Sequence, residues 1–394
     1  VAATAVGAAV ALYAPGVGGA AVAAAPALAA AKEKAYCASP DYRSTTLKTA
    51  VDATVFGLLH DSEGQYKFEA SGVVLQDNGF YVVCDSSWAI PVFHDLSTSG
   101  AFKATAVAST DPDNEWKNLA LARNFLVMPD DPDSFPKGVD SQWEAITYST
   151  TRQHFIAVQE SILFPNGEYH AVLSDIIING TKWSHVRSCR SEYTFTSDNK
   201  GFEGALAIQG VNGEAYILGL CEGNHCDFGK RGREKGNGKL VLMQRELGTG
   251  PENVFRKGQF TELSDDPCVY KTIGVYDLPA SADFLDYSDI ARRGDKIAFT
   301  SQESSALYVA DMVLEDGRVN PATFKVQEGT AYRFRPDDDC DIVYCNVEAI
   351  DFVTDRLLVG ASDQMKGHGK QPFQCLEKDQ SMHVFVMPDE ISPH

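Results

Sequence analysis

Positive charge is scarce in this chain. Its 394 residues hold 34 Lys and Arg against 54 Asp and Glu, a formal charge of −20. A surface so poor in cations cannot neutralise a phosphate backbone, which excludes non-specific nucleic-acid binding. It is equally unsuited to docking on anionic lipid. It fits a soluble extracellular protein, or one that gathers cations. Helical periodicity is missing too: after residue 35 no long apolar pattern repeats every 3.6 residues, so the core is not built from helices. Charge is absent altogether from residues 1–31, just over half of which are alanine, and the first charged residue is Lys32.

That uncharged segment reads as an arm or anchor over residues 1–35, set ahead of a body spanning 36–394. Small residues near Ala29-Ala30-Ala31 would suit signal-peptide cleavage, although the chain opens on Val1 rather than methionine, as a processed or partial chain does. The stretch is long enough to cross a bilayer. Pro15, Pro26 and the glycines between 16 and 19 make a poor spanning helix, however. The favoured expectation is that residues 1–31 lie along a neighbouring subunit and join a homo-oligomer or polymer; membrane anchoring is the less favoured one.

The body reads as short strands. Phe155-Ile-Ala-Val, Ala171-Val-Leu-Ser, Ala215-Tyr-Ile-Leu, Lys239-Leu-Val-Leu, Ala306-Leu-Tyr-Val and Met382-His-Val-Phe-Val are rich in β-formers. Turn signals punctuate them at Asn78-Gly79, Asn166-Gly167, Asn212-Gly213 and Asp316-Gly317. Five segments share one plan: a hydroxyl or carboxylate opens an apolar run, a turn follows, and a second run closes on an acid. The openings are Ser71, Glu144, Glu203, Ser288 and Glu348; the closings are Asp85, Glu160, Glu222, Glu303 and Asp363. A unit that recurs at a long, steady interval marks a repeat architecture. Many short strands with a repeated motif predict an all-β fold, a β-propeller of five blades.

Nine cysteines point to an oxidising compartment, extracellular or at the cell surface. Cys221/Cys226 and Cys340/Cys345 share one spacing and are bridge candidates, either as two local bridges or as partners of one another. The odd count leaves at least one cysteine unpaired within a monomer or bridged to another chain. Asn179-Gly-Thr181 is a glycosylation sequon if the chain is secreted. His225, between Cys221 and Cys226, invites a zinc reading, but those ligands are too crowded for a closed site, and a disulfide-pinned turn is preferred. The acidic loops Asp111-Pro-Asp113, Asp130-Asp-Pro-Asp133 and Asp337-Asp-Asp339 read as solvated turns rather than calcium loops. The basic loop holding Lys230, Arg231, Arg233, Lys235 and Lys239, interleaved with glycines, could bind a phosphate or sulfate through charge and backbone N–H groups, but a flexible exposed loop is the preferred reading.

In a propeller the first strand of each blade lines the hub, so the five opening residues are expected to face one another there. Three carboxylates and two hydroxyls in a partly dry hub repel unless a cation neutralises them or protons are retained. Ca2+ suits that donor set, since it takes six to eight oxygen ligands in loose geometry. Zinc and copper would want His or Cys, and the openings carry none. The closing acids cap turns or pair with basic groups; alternatively Asp85, Glu160 and Glu303 are candidates for a general base acting on a metal-held water.

The order Ser, Glu, Glu, Ser, Glu at the strand openings resembles the calcium-activated nucleotidases, the secreted apyrases. That resemblance implies a five-bladed propeller with one calcium in its channel, hydrolysing nucleoside di- and triphosphates to monophosphates. Phe202-Glu-Gly204 and Leu285-Asp-Tyr-Ser-Asp289 also resemble phytase-like and esterase-like propellers. The likeness covers most of residues 65–365 as spaced short motifs. The chain departs from it where the family has Asp-Asp-Arg-Thr-Gly: here stands Cys84-Asp-Ser-Ser-Trp88. The family's Lys-Glu-Trp-Thr stretch also has no counterpart, the chain reading Gln159-Glu-Ser161. A polyphosphate thereby loses a bidentate clamp, and nothing in the sequence places Arg187, Arg190, Arg292 or Arg356 in that role. The metal ring carries over better than the catalysis. The function expected is therefore an extracellular structural or interaction subunit, a calcium-pinned propeller self-assembling into a fibre or surface layer through its arm. The alternative is a secreted calcium-dependent phosphoester or phosphoanhydride hydrolase.

Overall fold

In a computed structural model of the protein, the residues described are 45–53, 56, 68–94, 124–198, 200–249, 253–262, 267–337, 342–344, 346–363, 378 and 380–388. The arm at 1–35, Cys340, Cys345 and the Asp111-Pro-Asp113 loop lie outside them. The chain forms a β-propeller. Strand β1 (Lys48–Ala53) opens the described chain, and four antiparallel meanders follow. The first holds β2 (Ala70–Gln76), β3 (Gly79–Cys84), β4 (Ile90–Phe93) and β5 (Asn124–Pro129). The second holds β6 (Trp143–Ser149), β7 (His154–Leu163), β8 (Tyr169–Asn179) and β9 (Lys182–Phe195). The third runs β10 (Phe202–Gln209), β11 (Ala215–Cys221) and β12 (Lys239–Glu246). A hairpin of β13 (Val254–Arg256) and β14 (Gln259–Thr261) interrupts it before β15 (Val269–Asp277). The fourth is β16 (Asp289–Arg293), β17 (Lys296–Ser301), β18 (Ala306–Asp311) and β19 (Thr330–Arg333). The last sheet takes β20 (Val347–Phe352), β21 (Leu357–Ser362) and β22 (Met382–Val386) from one end of the chain, and β1 from the other.

The first strands close a ring. β2 packs against β6, β6 against β10, β10 against β16, β16 against β20, and β20 returns to β2. The apolar residues divide into five buried clusters, each lying between two neighbouring sheets. Val92 and Val127 meet Ile146 and Val172 between the first and second sheets; Leu218 and Leu242 meet Ile297 and Phe299 between the third and fourth. The core is thus a set of sheet-on-sheet layers with the side-chain alternation such layers demand. The turn residues behave as their chemistry dictates. Asp77 and Asn78 both take positive φ, 48° and 63°, as a tight hairpin between β2 and β3 requires.

The small residue after an opening is needed for the ring to close. A Cβ on Gly72 would stand 2.9 Å from the Ala145 Cα, and one on Gly204 would stand 2.7 Å from the Ile290 nitrogen. The inner edge of each first strand also carries N–H groups with no strand beside them, and these need acceptors. The Asp289 carboxylate accepts from Ile350 at 2.7 Å and also from Val73, so one side chain on β16 serves both β20 and β2. Asp351 accepts from Leu75 at 2.7 Å, and Thr147 Oγ1 accepts from Ala207 at 2.9 Å. Three first strands within reach of one carboxylate leave the hub narrow at the level of Asp289.

Candidate functional site

The opening residues share one backbone feature. Strand register breaks between Ala70 and Gly72, between Trp143 and Ala145, between Phe202 and Gly204, and between Val347 and Ala349. Ser71, Glu144, Glu203 and Glu348 are therefore the extra residues of β-bulges, the device that re-aims a side chain out of a sheet. Ser288 stands immediately ahead of β16, its N–H bonded to the Thr300 carbonyl at 2.9 Å.

A second regularity clamps each closing acid beside its opening. The N–H of Asp85 donates to the Glu69 carbonyl at 2.9 Å, Glu160 to Gln142 at 2.9 Å, Glu222 to Gly201 at 3.3 Å and Asp363 to Asn346 at 2.9 Å. Each acceptor lies two residues ahead of the opening. In the fourth sheet Asp286 holds the same position but accepts with its side chain, its carboxylate 3.2 Å from the Glu303 nitrogen. Openings and closings thus gather at one end of the hub.

Among the described residues, one set of three metal-competent side chains has ligand atoms that all lie within 4.8 Å of one another: Glu160, Glu203 and Glu222. The tightest grouping mixes one opening with two closings, where sequence reasoning expected the five openings as the ligand ring. Glu144 sits next to it, 8% exposed. The Ser71 hydroxyl, with one proton to give, lies between the Glu144 carboxylate and the Glu69 carbonyl, which is 3.2 Å away. Across the hub Gln302 ties two openings together. Its N–H donates to Ser288 Oγ at 3.0 Å and its side-chain amide donates to Glu348.

Charge does not balance at this end. Lys200 pairs with one oxygen of Glu222, and the only other side chain hydrogen-bonded to Glu222 among those that shift it is another acid, Glu203. Burial first, and the neighbouring Glu160 second, push the Glu144 carboxyl well above its ordinary range. Burial and then Glu144 and Glu222 do the same to Glu203. Burial and Glu222 raise Glu160 to about 8, against the opposing pull of Lys200. At neutral pH the cluster therefore retains protons, or takes a cation in their place.

Two local constraints fix Glu222. Cys221 and Cys226 form a disulfide, so Glu222 sits inside a loop closed by that bond. His225 and Cys226 adopt positive φ, 59° and 52°, and the fully buried Asn224 amide donates to the Gly232, Phe284 and Leu285 carbonyls. This is the disulfide-pinned turn expected from the spacing, with His225 turned to Glu234 at 3.2 Å. A second bridge, Cys189–Cys268, ties β9 to the segment before β15. Cys84 is buried and unbridged. Asn179 is exposed at the β8–β9 turn.

An arginine does stand at the acidic end. Arg233 follows a single helical turn, α1 (Gly229–Gly232), and grips the closing acid Glu303 with both guanidinium nitrogens, at 2.7 and 2.6 Å. Sequence reasoning set this basic loop aside as flexible and exposed. The signal was present, in that the loop follows directly on the disulfide turn that carries Glu222. Three of the four arginines weighed instead are engaged elsewhere: Arg190 with Glu262 at 2.9 Å, Arg292 with the Gly294 and Gly317 carbonyls, and Arg356 with the Met387 carbonyl. The Asp130–Asp133 loop is a solvated turn, Asp131 accepting from the N–H groups of Asp133 and Ser134.

A second polar cluster joins the chain ends, and nothing in the sequence announced it. The Asp52 carboxylate on β1 lies 2.8 Å from His383 Nδ1 on β22, and His383 Nε2 lies 2.7 Å from Ser362 Oγ on β21. Tyr344 donates to Asp52 at 2.8 Å and Lys378 at 2.6 Å. The order Ser-His-Asp has the connectivity of a nucleophile relay, but Ser362 and His383 are both 0% exposed. The adjoining cavity of about 410 Å³ is lined by Asp52, Tyr344 and Lys378 and not by Ser362. The cluster is a clasp holding β1 into the last sheet.

No protein-family model matches the chain, and no curated protein does. Solved structures match over most of its length at low similarity. The PQQ-bound aldose sugar dehydrogenase of Streptomyces coelicolor aligns with 86% of this chain and 98% of its own, at 10% identity and a TM-score of 0.39. The soluble aldose sugar dehydrogenase of Escherichia coli, in its apo form, aligns with 86% and 98% at 9% identity and a TM-score of 0.35. A putative glucose dehydrogenase of Thermus thermophilus covers 86% and 99% at 9% identity and a TM-score of 0.37. Similarity at this level carries no argument about activity and does not single out apyrases or phytases. The fold rests on the strand pairing itself.

Proposed function

We propose that this chain is an extracellular propeller that binds one divalent cation, Ca2+, at the acidic end of its hub, and that the ion pins neighbouring blades together. The observation that carries this reading is the convergence of Glu160, Glu203 and Glu222 within 4.8 Å with one lysine, Lys200, beside them. Glu160 comes from the second sheet, Glu203 and Glu222 from the third, and Glu144, with Ser71 hydrogen-bonded to it, neighbours this set without belonging to it. All donors are hard oxygens, which suits calcium. The two disulfides fit an oxidising compartment. In this reading the pinned body is an interaction subunit, and residues 1–31 carry its self-association. A calcium titration by calorimetry tests the site; it should show saturable binding that Glu203→Gln abolishes. Unaltered binding in that variant would reject the assignment.

A second reading, calcium-dependent hydrolysis of a phosphoester or phosphoanhydride, is favoured by one observation. Lys200 and Arg233 stand at the same end as the carboxylates, where an anionic substrate would need them. Phosphate release from ATP, ADP and phytate, with calcium and then with chelator, decides between the two readings. Calcium-dependent turnover that Arg233→Ala diminishes establishes the hydrolase; its absence leaves the structural role.

A further inference from the structure

The basic loop that follows the disulfide turn is a braced projection, not a slack one. The His225 N–H donates to the Asn237 carbonyl at 2.8 Å, and Asn224 Oδ1 accepts from the Asn237 N–H at 2.9 Å, so the two ends of the loop are tied together. The Asn237 side chain also donates to the Glu234 and Lys235 carbonyls, at 2.8 and 3.1 Å. Gly223 and Gly232 close on the Asp227 carbonyl, where a Cβ on either would stand 2.0 or 2.2 Å from its oxygen. The Cys221–Cys226 bridge fixes the base.

A braced loop holds its side chains where they are. Phe228, just ahead of α1, is 50% exposed. Residues 228–235 carry four cations, Lys230, Arg231, Arg233 and Lys235, against one acid, Glu234, in a chain of formal charge −20. Arg233 is committed to Glu303. Arg231, 65% exposed, meets Asp227 only at 3.5 Å, and among the described residues Lys230 and Lys235 form no ion pair. An exposed aromatic ring among cations has the composition of an interface anchor, and its partner must be acidic.

The chain itself supplies such a partner. The turn after β5, Asp130-Asp131-Pro132-Asp133, is exposed. Asp130 accepts from the Ser184 hydroxyl, and Asp131 from the N–H groups of Asp133 and Ser134; among the described residues no cation pairs with these acids. Pro132 and, further along the same segment, the 38% exposed Val139 offer apolar surface.

We propose that the loop 228–235 of one copy docks on the acidic turn 130–133 of a second copy of this chain. The proposal rests on the reading of the chain as a self-associating subunit and adds a directional, ionic contact to the uncharged arm. The loop belongs to the third sheet and the turn to the first, so the contact joins two different surfaces. A heterologous contact of that kind repeats head to tail, giving an open filament unless its rotation closes a ring. Opposite charges steer the approach and set the orientation, and Phe228 supplies the apolar anchor. A small inorganic anion would answer the lysines and leave that ring in water.

Sedimentation velocity on the full chain tests this. The native chain should self-associate, and high salt should weaken the association by screening exposed charges. Lys230→Glu with Lys235→Glu in one variant, and Asp131→Lys with Asp133→Lys in another, should each weaken it about tenfold or more. Mixing the two variants should restore it, because the reversed loop of one meets the reversed turn of the other. Phe228→Ser should weaken association at either salt concentration. All of these variants should bind calcium as the native chain does, which reports an intact body. Association lost on deleting residues 1–31 but unchanged in both charge-reversed variants would overturn the loop contact and keep the arm. Association that survives the deletion and falls in the charge-reversed variants would do the opposite. A mixture no more associated than its components, or a native chain that stays monomeric in low salt, would overturn the proposal.

Discussion

Two carboxylate clusters in this propeller, one part-exposed at the clasp and one buried at the hub, obey opposite rules. At the clasp, Asp52 takes donors from His383, Tyr344 and Lys378. Burial raises its pKa, but these partners win, and the carboxyl is driven well below its ordinary range. At the hub, Glu144, Glu160, Glu203 and Glu222 share a single lysine, and each carboxyl is raised. One cluster is complete within the protein. The other is short of positive charge. A polar cluster whose members satisfy one another needs nothing from outside, whereas a surplus of acid must be met by retained protons or by a cation from solution.

The contrast can be broken in several ways. The largest effect is expected at the clasp. Asp52→Ala leaves the buried His383 without its anion; because the Asp52 side chain is 32% exposed, the loss should be about 3 kcal/mol, the lower end of what removing one partner from a buried pair costs. Urea unfolding should give that loss equally with calcium and with chelator. A loss seen only with calcium would mean that the two clusters are not independent.

Next in size is calcium itself. At about a hundredfold excess over its dissociation constant it should stabilise the chain by about 2.7 kcal/mol. Glu203→Gln should remove most of that increment, while in chelator the variant should be as stable as the native chain or more so, because a neutral amide replaces a buried acid that has to hold its proton.

The pH dependence sharpens the same point. Glu160 is raised from 4.5 to about 8 on folding, so the folded chain holds its proton where the unfolded chain has lost it. The stability it contributes is complete below pH 4.5 and is lost as pH rises through about 8. In chelator, melting temperature should fall across that window. With calcium the fall should flatten, since the ion takes the place of the protons; a parallel fall in both conditions would argue against a cation there.

The smallest effect on stability should come from deleting residues 1–31. The body should melt as before, and what should disappear is self-association, read by light scattering. Unchanged assembly would refute the role proposed for the arm.

Much of the fold could be read in advance because it is written locally. Alternation along Phe155–Val158 or Ala215–Leu218, and turn residues such as Asn212-Gly213, are fixed by neighbours in the chain. The opening and closing positions were legible for the same reason: a bulge at Ser71, Glu144, Glu203 or Glu348 and a closing N–H at Asp85, Glu160, Glu222 or Asp363 belong to one hairpin. The Cys221–Cys226 bridge, spanning five positions, is equally local.

The sequence by itself determined an all-β repeat, the residues that open and close each unit, and an excess of acid at those positions. Only the tertiary structure decided which acids meet. It drew Glu160 to Glu203 and Glu222, set Arg233 on Glu303 seventy positions away, and joined Asp52 to His383 across 331. The physical reason is that strand and turn propensities act between near neighbours, whereas the charge around a carboxyl is set by whatever closure of the ring brings beside it. Periodicity carries the first kind of information and is silent on the second.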